Sequence, residues 1–169
     1  MARMSRFGRL MRHLLAPPWS VGQAFPAATL AAIETAIGES ERLHRGELRF
    51  AVEAGLDLLP VWHGETARER AVELFSDLRV WDTAENSGVL IYVQLVDRKV
   101  EILADRGISA GVAQAEWDAI CREVEQAFRK QRYEEGALAA IRRVGALLAT
   151  HFPARPDNPN ELPDRPVLL

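Results

Sequence analysis

Cysteine is almost absent: Cys121 is the only one in 169 residues, which excludes an internal disulfide framework and any metal site built on a cysteine cluster. Long apolar runs are missing as well. No stretch reaches the roughly 20 apolar residues that span a bilayer. The N-terminal segment forms no uninterrupted run of signal-peptide type, because Arg9, Arg12 and His13 break it and Pro17 and Pro18 follow. A reducing, cytoplasmic location is the resulting expectation. The four histidines, His13, His44, His63 and His151, are scattered, with no second histidine or cysteine at ligand spacing. Each reads as a surface or capping residue, and zinc is not expected. G-x-x-x-x-G-K, G-x-G-x-x-G and H-E-x-x-H are all missing, so phosphate-loop, dinucleotide and zincin sites have no support and no nucleotide cofactor is expected.

The charge is unevenly spread. The first 20 residues carry four arginines and no acid, whereas the other 149 carry 17 bases against 24 acids, a net charge of −7 within an overall −3. An acidic body offers no electrostatic footprint to a phosphate backbone, so nucleic acid is not an expected partner. Hydrophobic residues at 48% and charged residues at 27% are the balance of a globular chain of one-domain length.

Residues 3 to 15 place Met4, Phe7, Leu10, Met11, Leu14 and Leu15 at helical spacing with arginines between them. Residues 1–18 are therefore read as a basic amphipathic helix. It either touches an anionic membrane surface weakly or packs on its own domain, and the latter is the plainer reading. Pro26 starts a second helix with Leu30, Ile33 and Ile37 on one face. Leu48, Phe50 and Val52 alternate with Glu47, Arg49 and Glu53, predicting a half-buried first strand. Thr66 and Glu69 form a T-x-x-E capping box ahead of the stripe Ala71, Leu74, Phe75 and Leu78. The nearly continuous apolar run Gly88 to Val96 predicts a central strand. Val100 and Ile102 follow so closely that only an antiparallel hairpin connects them to it. Trp117 to Phe128 and Leu138 to Phe152 carry two further helical stripes. Cys121 lies in the first of these, as a packed and inert thiol. Residues 19–153 thus form a single-domain α/β fold, a mixed sheet with a central antiparallel hairpin sandwiched by helices. Residues 154–169, within a proline-rich stretch, are expected to be a disordered tail.

Oxygen chemistry is what remains for a site. If Asp97 and Arg98 are the two turn residues of the hairpin, Asp105 falls opposite Leu90 and near Asn86. A right-handed crossover makes the first two strands parallel and brings Glu47 to the same edge, where Asp82 also enters. Glu47, Asp82, Asn86 and Asp105 are therefore candidate ligands for calcium or magnesium. The alternative is that Asp82 and Asn86 cap turns, Glu47 is solvated and Asp105 ends a strand. The carboxyl edge of the strands, with Glu53, Asp57, Asp97 and Arg98, competes as a ligand site, although Asp97 and Arg98 are more simply a polar turn.

The segments N-S-G-V-L-I-Y-V from Asn86 and D-R-K-V-E-I-L-A-D-R-G-I from Asp97 resemble the core of the TPM domain family. That family is named after a plant thylakoid-lumen protein, a photosystem II repair protein and a nematode receptor-modulating membrane protein. Ser40-Glu41, Gly46-Glu47-Leu48-Arg49, Arg68 to Phe75, Asp82-Thr83, Trp117 and Tyr133-Glu134-Glu135-Gly136 are similar to its small bacterial branch. The resemblance covers about Pro26 to Pro153 and implies a mixed sheet between helices. Some members are described as acid phosphatases and some as calcium-binding through an acidic patch, while others act as assembly or modulating factors. Asp105 matches the family pattern best, and Glu47 matches mainly the small bacterial branch. The expected function is an accessory or interaction domain that recognises a protein or a membrane-associated complex, with a divalent cation. The alternatives are a weak metal-dependent phosphatase and a peripheral membrane factor using the N-terminal helix.

Overall fold

The alternating segment and the apolar run become the two middle strands of a four-stranded sheet, β1 (Glu47–Glu53) and β2 (Gly88–Gln94). In the computed structural model, which describes all residues except 1–5, 16, 18 and 57, these strands pair in parallel from Glu47 opposite Gly88 to Glu53 opposite Gln94. β3 (Lys99–Ala104) lies antiparallel on β2, and the short β4 (Val167–Leu168) lies parallel on β1, giving the order β3-β2-β1-β4. Before β1 come α1 (Arg6–Leu14), α2 (Ser20–Ala24) and α3 (Ala27–Glu41). The crossover carries α4 (Leu58–His63) and α5 (Ala67–Asp77), and α6 (Arg106–Ser109), α7 (Gln114–Arg129) and α8 (Tyr133–His151) follow the hairpin.

Two apolar layers hold the sheet. Leu48, Phe50 and Val52 of β1 join Val89, Ile91 and Val93 of β2 against α3, α7 and α8. There Phe25, Phe50, Phe128 and Tyr133 meet with ring centroids 5.3 to 5.9 Å apart, at separations typical of tilted and edge-on aromatic pairs. On the opposite face Ala51, Leu90, Tyr92 and Leu103 pack under Ala67, Ala71 and Leu74 of α5. The predicted capping box is present: the Thr66 hydroxyl accepts from Glu69 N, and the Glu69 carboxylate accepts from Thr66 N at 2.8 Å. Gly88 can carry no side chain, since a Cβ there would lie 1.9 Å from the Val80 carbonyl oxygen.

The hairpin turn differs from the two-residue reading. Gln94 pairs with Lys99, so Leu95, Val96, Asp97 and Arg98 all lie in the loop and Asp105 faces Gly88 instead of Leu90. Leu95 and Val96 leave β3 because their amides donate to the carbonyls of Glu53 and Ala54, extending the pairing with β1. Arg98 then turns the chain at φ 53°, and the Gln94 side chain accepts from Asp97 N at 2.6 Å.

Residues 154–169, expected to be disordered, instead follow the far side of β1. Asn158 donates to the carbonyls of Glu41 and His44 at 2.9 and 3.0 Å. Leu162 is buried, Leu162 N donates to Glu47, and Leu169 N donates to Val52 O at 2.9 Å. Proline spacing blocks a helix, but it leaves enough amides to satisfy the charged face of β1. Truncation after Pro153 removes the partners of Glu47 and Arg49. It is expected to cost about 2–4 kcal/mol, and hence to lower Tm in a thermal melt by roughly 5–15 °C. An unchanged Tm would contradict the docked tail.

Candidate functional site

Glu47, Arg49 and Glu53 alternate along β1 and all three are buried, because the face that the alternation predicted to be half solvated is covered by α5 and the C-terminal segment. Each therefore needs a partner in the interior. Glu53 accepts from Arg70 Nη2 at 2.9 Å and from Arg70 Nε at 3.2 Å, and the Tyr92 hydroxyl donates to its other side. Burial, followed by the Glu53 hydrogen bond, raises the Tyr92 pKa above its ordinary value. Arg49 donates to the Pro163 carbonyl. Glu47 Oε2 accepts from Leu162 N at 2.9 Å.

Glu41, at the end of α3, joins this group. One of its oxygens accepts from Leu48 N at 2.9 Å, while Oε2 is buried without a hydrogen bond. Burial, then the neighbouring Glu47 charge and, more weakly, Asp164, push its pKa up to about 9. Burial likewise raises Glu47. Glu41 therefore carries a proton at neutral pH, and its protonated carboxyl can donate to Asp164, which is among its neighbours. The folded state holds this proton from an ordinary value of 4.5 up to about 9. Its stabilising contribution is thus complete below the lower pH and lost as pH rises through the upper one. The urea midpoint is expected to fall across this window, and Glu41→Gln should flatten the fall; a variant with the wild-type slope would assign the titration elsewhere.

The four candidate ligands do not converge into one set. Glu47 is committed to the C-terminal segment, as described. Asn86 and Asp105 do meet, at a corner between the β2 entry and the start of α6. Asp105 N donates to Gly88 O and Gly107 N to Asn86 O, both at 2.9 Å. Asp105 Oδ1 caps α6 by accepting from Arg106 N at 2.7 Å, and Asn86 Oδ1 accepts from Arg106 Nε at 3.0 Å. Asn86 adopts φ 53°, a left-handed conformation that asparagine tolerates. Gly107 is required here, because a Cβ would lie 2.4 Å from the Glu85 carbonyl oxygen. Asp82 is exposed in the loop leading to Asn86, its amide bonded to Arg79 O. Among the described residues no three His, Cys, Asp or Glu side chains are grouped to hold a metal ion. Arg106 and Gly107 were visible in the D-R-G motif, but their role as the bolt of this corner was not.

The competing edge is also occupied. Glu53 is in its ion pair, Asp57 lies outside the described residues, and Asp97 holds α1. Arg9 Nη2 is 2.8 Å and Arg12 Nη2 3.2 Å from the Asp97 carboxylate. His13 Nδ1 accepts from Leu56 N at 2.9 Å, and its Nε2 nitrogen lies 3.2 Å from Asp97 Oδ2. Burial lowers the pKa of His13 despite Asp97. Cys121 is an unreactive thiol, pushed up to about 12 by burial first and by Glu101 second.

The sequence pattern of the TPM domain matches residues 22–147. The chain belongs to the TPM domain family. This TPM domain is similar to BA42 from the psychrophilic bacterium Bizionia argentinensis, at 28% identity over 86% of this chain and 95% of that one, with a TM-score of 0.75. It also shares its fold with the N-terminal domain of a protein from P. gingivalis, at 15% identity over 92% of this chain and 99% of that one, with a TM-score of 0.60. No curated protein matches the chain. Among the described residues no helix is long and apolar enough to cross a membrane.

Proposed function

We propose that this TPM domain is an accessory or interaction domain and not a hydrolase. The observation that carries this reading is the commitment of its interior carboxylates to the fold. Glu53 is neutralised by Arg70, Glu47 is spent on Leu162 N, and one Asp105 oxygen caps α6. A hydrolase needs, besides any cation ligand, a base free to activate water or take a proton at the reacting atoms. Side chains tied into the β1 face and the α6 cap serve a rigid scaffold instead.

Cation binding is a narrower part of the same reading and centres on the Asn86–Asp105 corner. Asp105 Oδ2 is buried and accepts no hydrogen bond, so it is the oxygen that calcium or magnesium would use, and Asn86 Oδ1, now bonded to Arg106 Nε, is a second oxygen donor at the corner once Arg106 turns away. Glu47 does not belong to that set. A cation there would order the loop before β2 against α6 and stabilise the native state in proportion to its occupancy.

Two measurements on the same samples test the reading. Thermal melts of the wild type with millimolar calcium or magnesium are expected to show a raised Tm, and Asp105→Asn should remove that rise. Hydrolysis of p-nitrophenyl phosphate with either cation is expected to show no turnover that depends on Asp105. A steady rate abolished by Asp105→Asn would instead make the corner catalytic and overturn the proposal.

A further inference from the structure

The N-terminal helix is attached by the side that a solvated amphipathic helix would turn outward. Arg9 and Arg12 reach the Asp97 carboxylate, Arg9 also donates to the Glu65 carbonyl at 2.6 Å, and His13 is buried beneath. α1 packs on α4 in this orientation. Large apolar side chains consequently point to solvent: Phe7, Leu14 and Leu15 from α1 and its end, Trp19 before α2, and Leu59 and Trp62 from α4 are each 53–72% exposed. Leaving six such groups in water on neighbouring short segments forgoes a large burial free energy, and such concentrations mark docking faces.

Charge identifies what fits. The first acid in the sequence is Glu34, and residues 58–63 contain none. Asp97 is already paired, while Arg12 remains half exposed and Arg98 is exposed. Beside them opens a cleft of about 760 Å³ in which Arg12 and Arg98 sit among Met11, Leu15, Leu95 and Tyr133. The side of this end around Arg12 and Arg98 is therefore basic and apolar, whereas Glu65, Glu69 and Glu73 line a separate cleft with Pro60 and His63. An anionic layer would attract the Arg12–Arg98 side and repel the acidic remainder of the chain, which orients the domain on it. Tryptophans with an apolar body and a polar N–H suit the boundary between headgroups and acyl chains.

We propose that the face built by α1 and α4 docks the domain on the surface of an anionic lipid bilayer. Apolar side chains enter the headgroup boundary and Arg12 and Arg98 meet lipid phosphates. A lone short helix binds lipid weakly; here a second helix, Trp19 before α2, Trp62 of α4 and two arginines act together on one domain. The inference rests on exposure and charge and is independent of whether the domain is catalytic.

Co-sedimentation of the full chain with vesicles tests it. The protein is expected to pellet with phosphatidylcholine vesicles containing phosphatidylglycerol, to remain in solution with phosphatidylcholine alone, and to be released by high salt. The double variant Leu14→Glu, Trp62→Glu should bind about tenfold more weakly or worse, with Tm unchanged because both side chains are exposed. Full binding by this variant, equal binding to neutral and anionic vesicles, or no binding at low salt would each overturn the proposal. It would fall equally if the chain were a dimer in solution that the same variant dissociates, because the face would then belong to a second copy.

Discussion

Burial of three charged residues on one face of β1 is the constraint around which the molecule is arranged. β1 has a neighbour on both sides in the sheet and no exposed residue along its length. Its inner face is met by apolar packing, but Glu47, Arg49 and Glu53 on the other face cannot be left unpaired in a dry interior. α5 supplies Arg70 for Glu53, and the C-terminal segment supplies an amide for Glu47 and a carbonyl for Arg49. The ordered tail and the polar link from α5 to the sheet are thus answers to one electrostatic requirement. The protonated Glu41 is part of the same answer, since a second full negative charge beside Glu47 would be costly.

The two ends of the sheet then acquire different characters. At the amino end of the parallel strands, Arg106, Gly107, Asn86 and Asp105 lock the β2 entry to α6 through backbone and side-chain hydrogen bonds. At the carboxyl end, where open α/β sheets usually hold ligands, the hairpin loop presents Asp97, and α1 closes over it. That closure engages Asp97 and leaves exposed apolar side chains outside, with Arg12 and Arg98 among them. The TPM domain match, residues 22–147, takes in both the hairpin and this corner.

Much of this was legible in the sequence. The alternation at 47–53, the apolar run at 88–94, the T-x-x-E box and the helical stripes after Trp117 each mark an element the structure contains. They were readable because period and capping are properties of a few neighbouring residues. The hairpin register was not, because the loop length depended on Leu95 and Val96 bonding to β1, some 40 residues away. The candidate ligand set split for a similar reason. Glu47 enters the same edge as Asn86 and Asp105, yet its carboxylate is claimed by Leu162, 115 residues on.

The sequence by itself thus determined the kinds of elements, the apolar face of each, the chemical inertness of Cys121 and the family. Only the tertiary structure decided which face of β1 was truly dry, where the last 16 residues go, and that the arginines of α1 turn inward onto Asp97. Those outcomes depend on which distant charge or backbone group reaches a buried side chain first. Local periodicity carries no record of that competition, because it is resolved only when the layers pack.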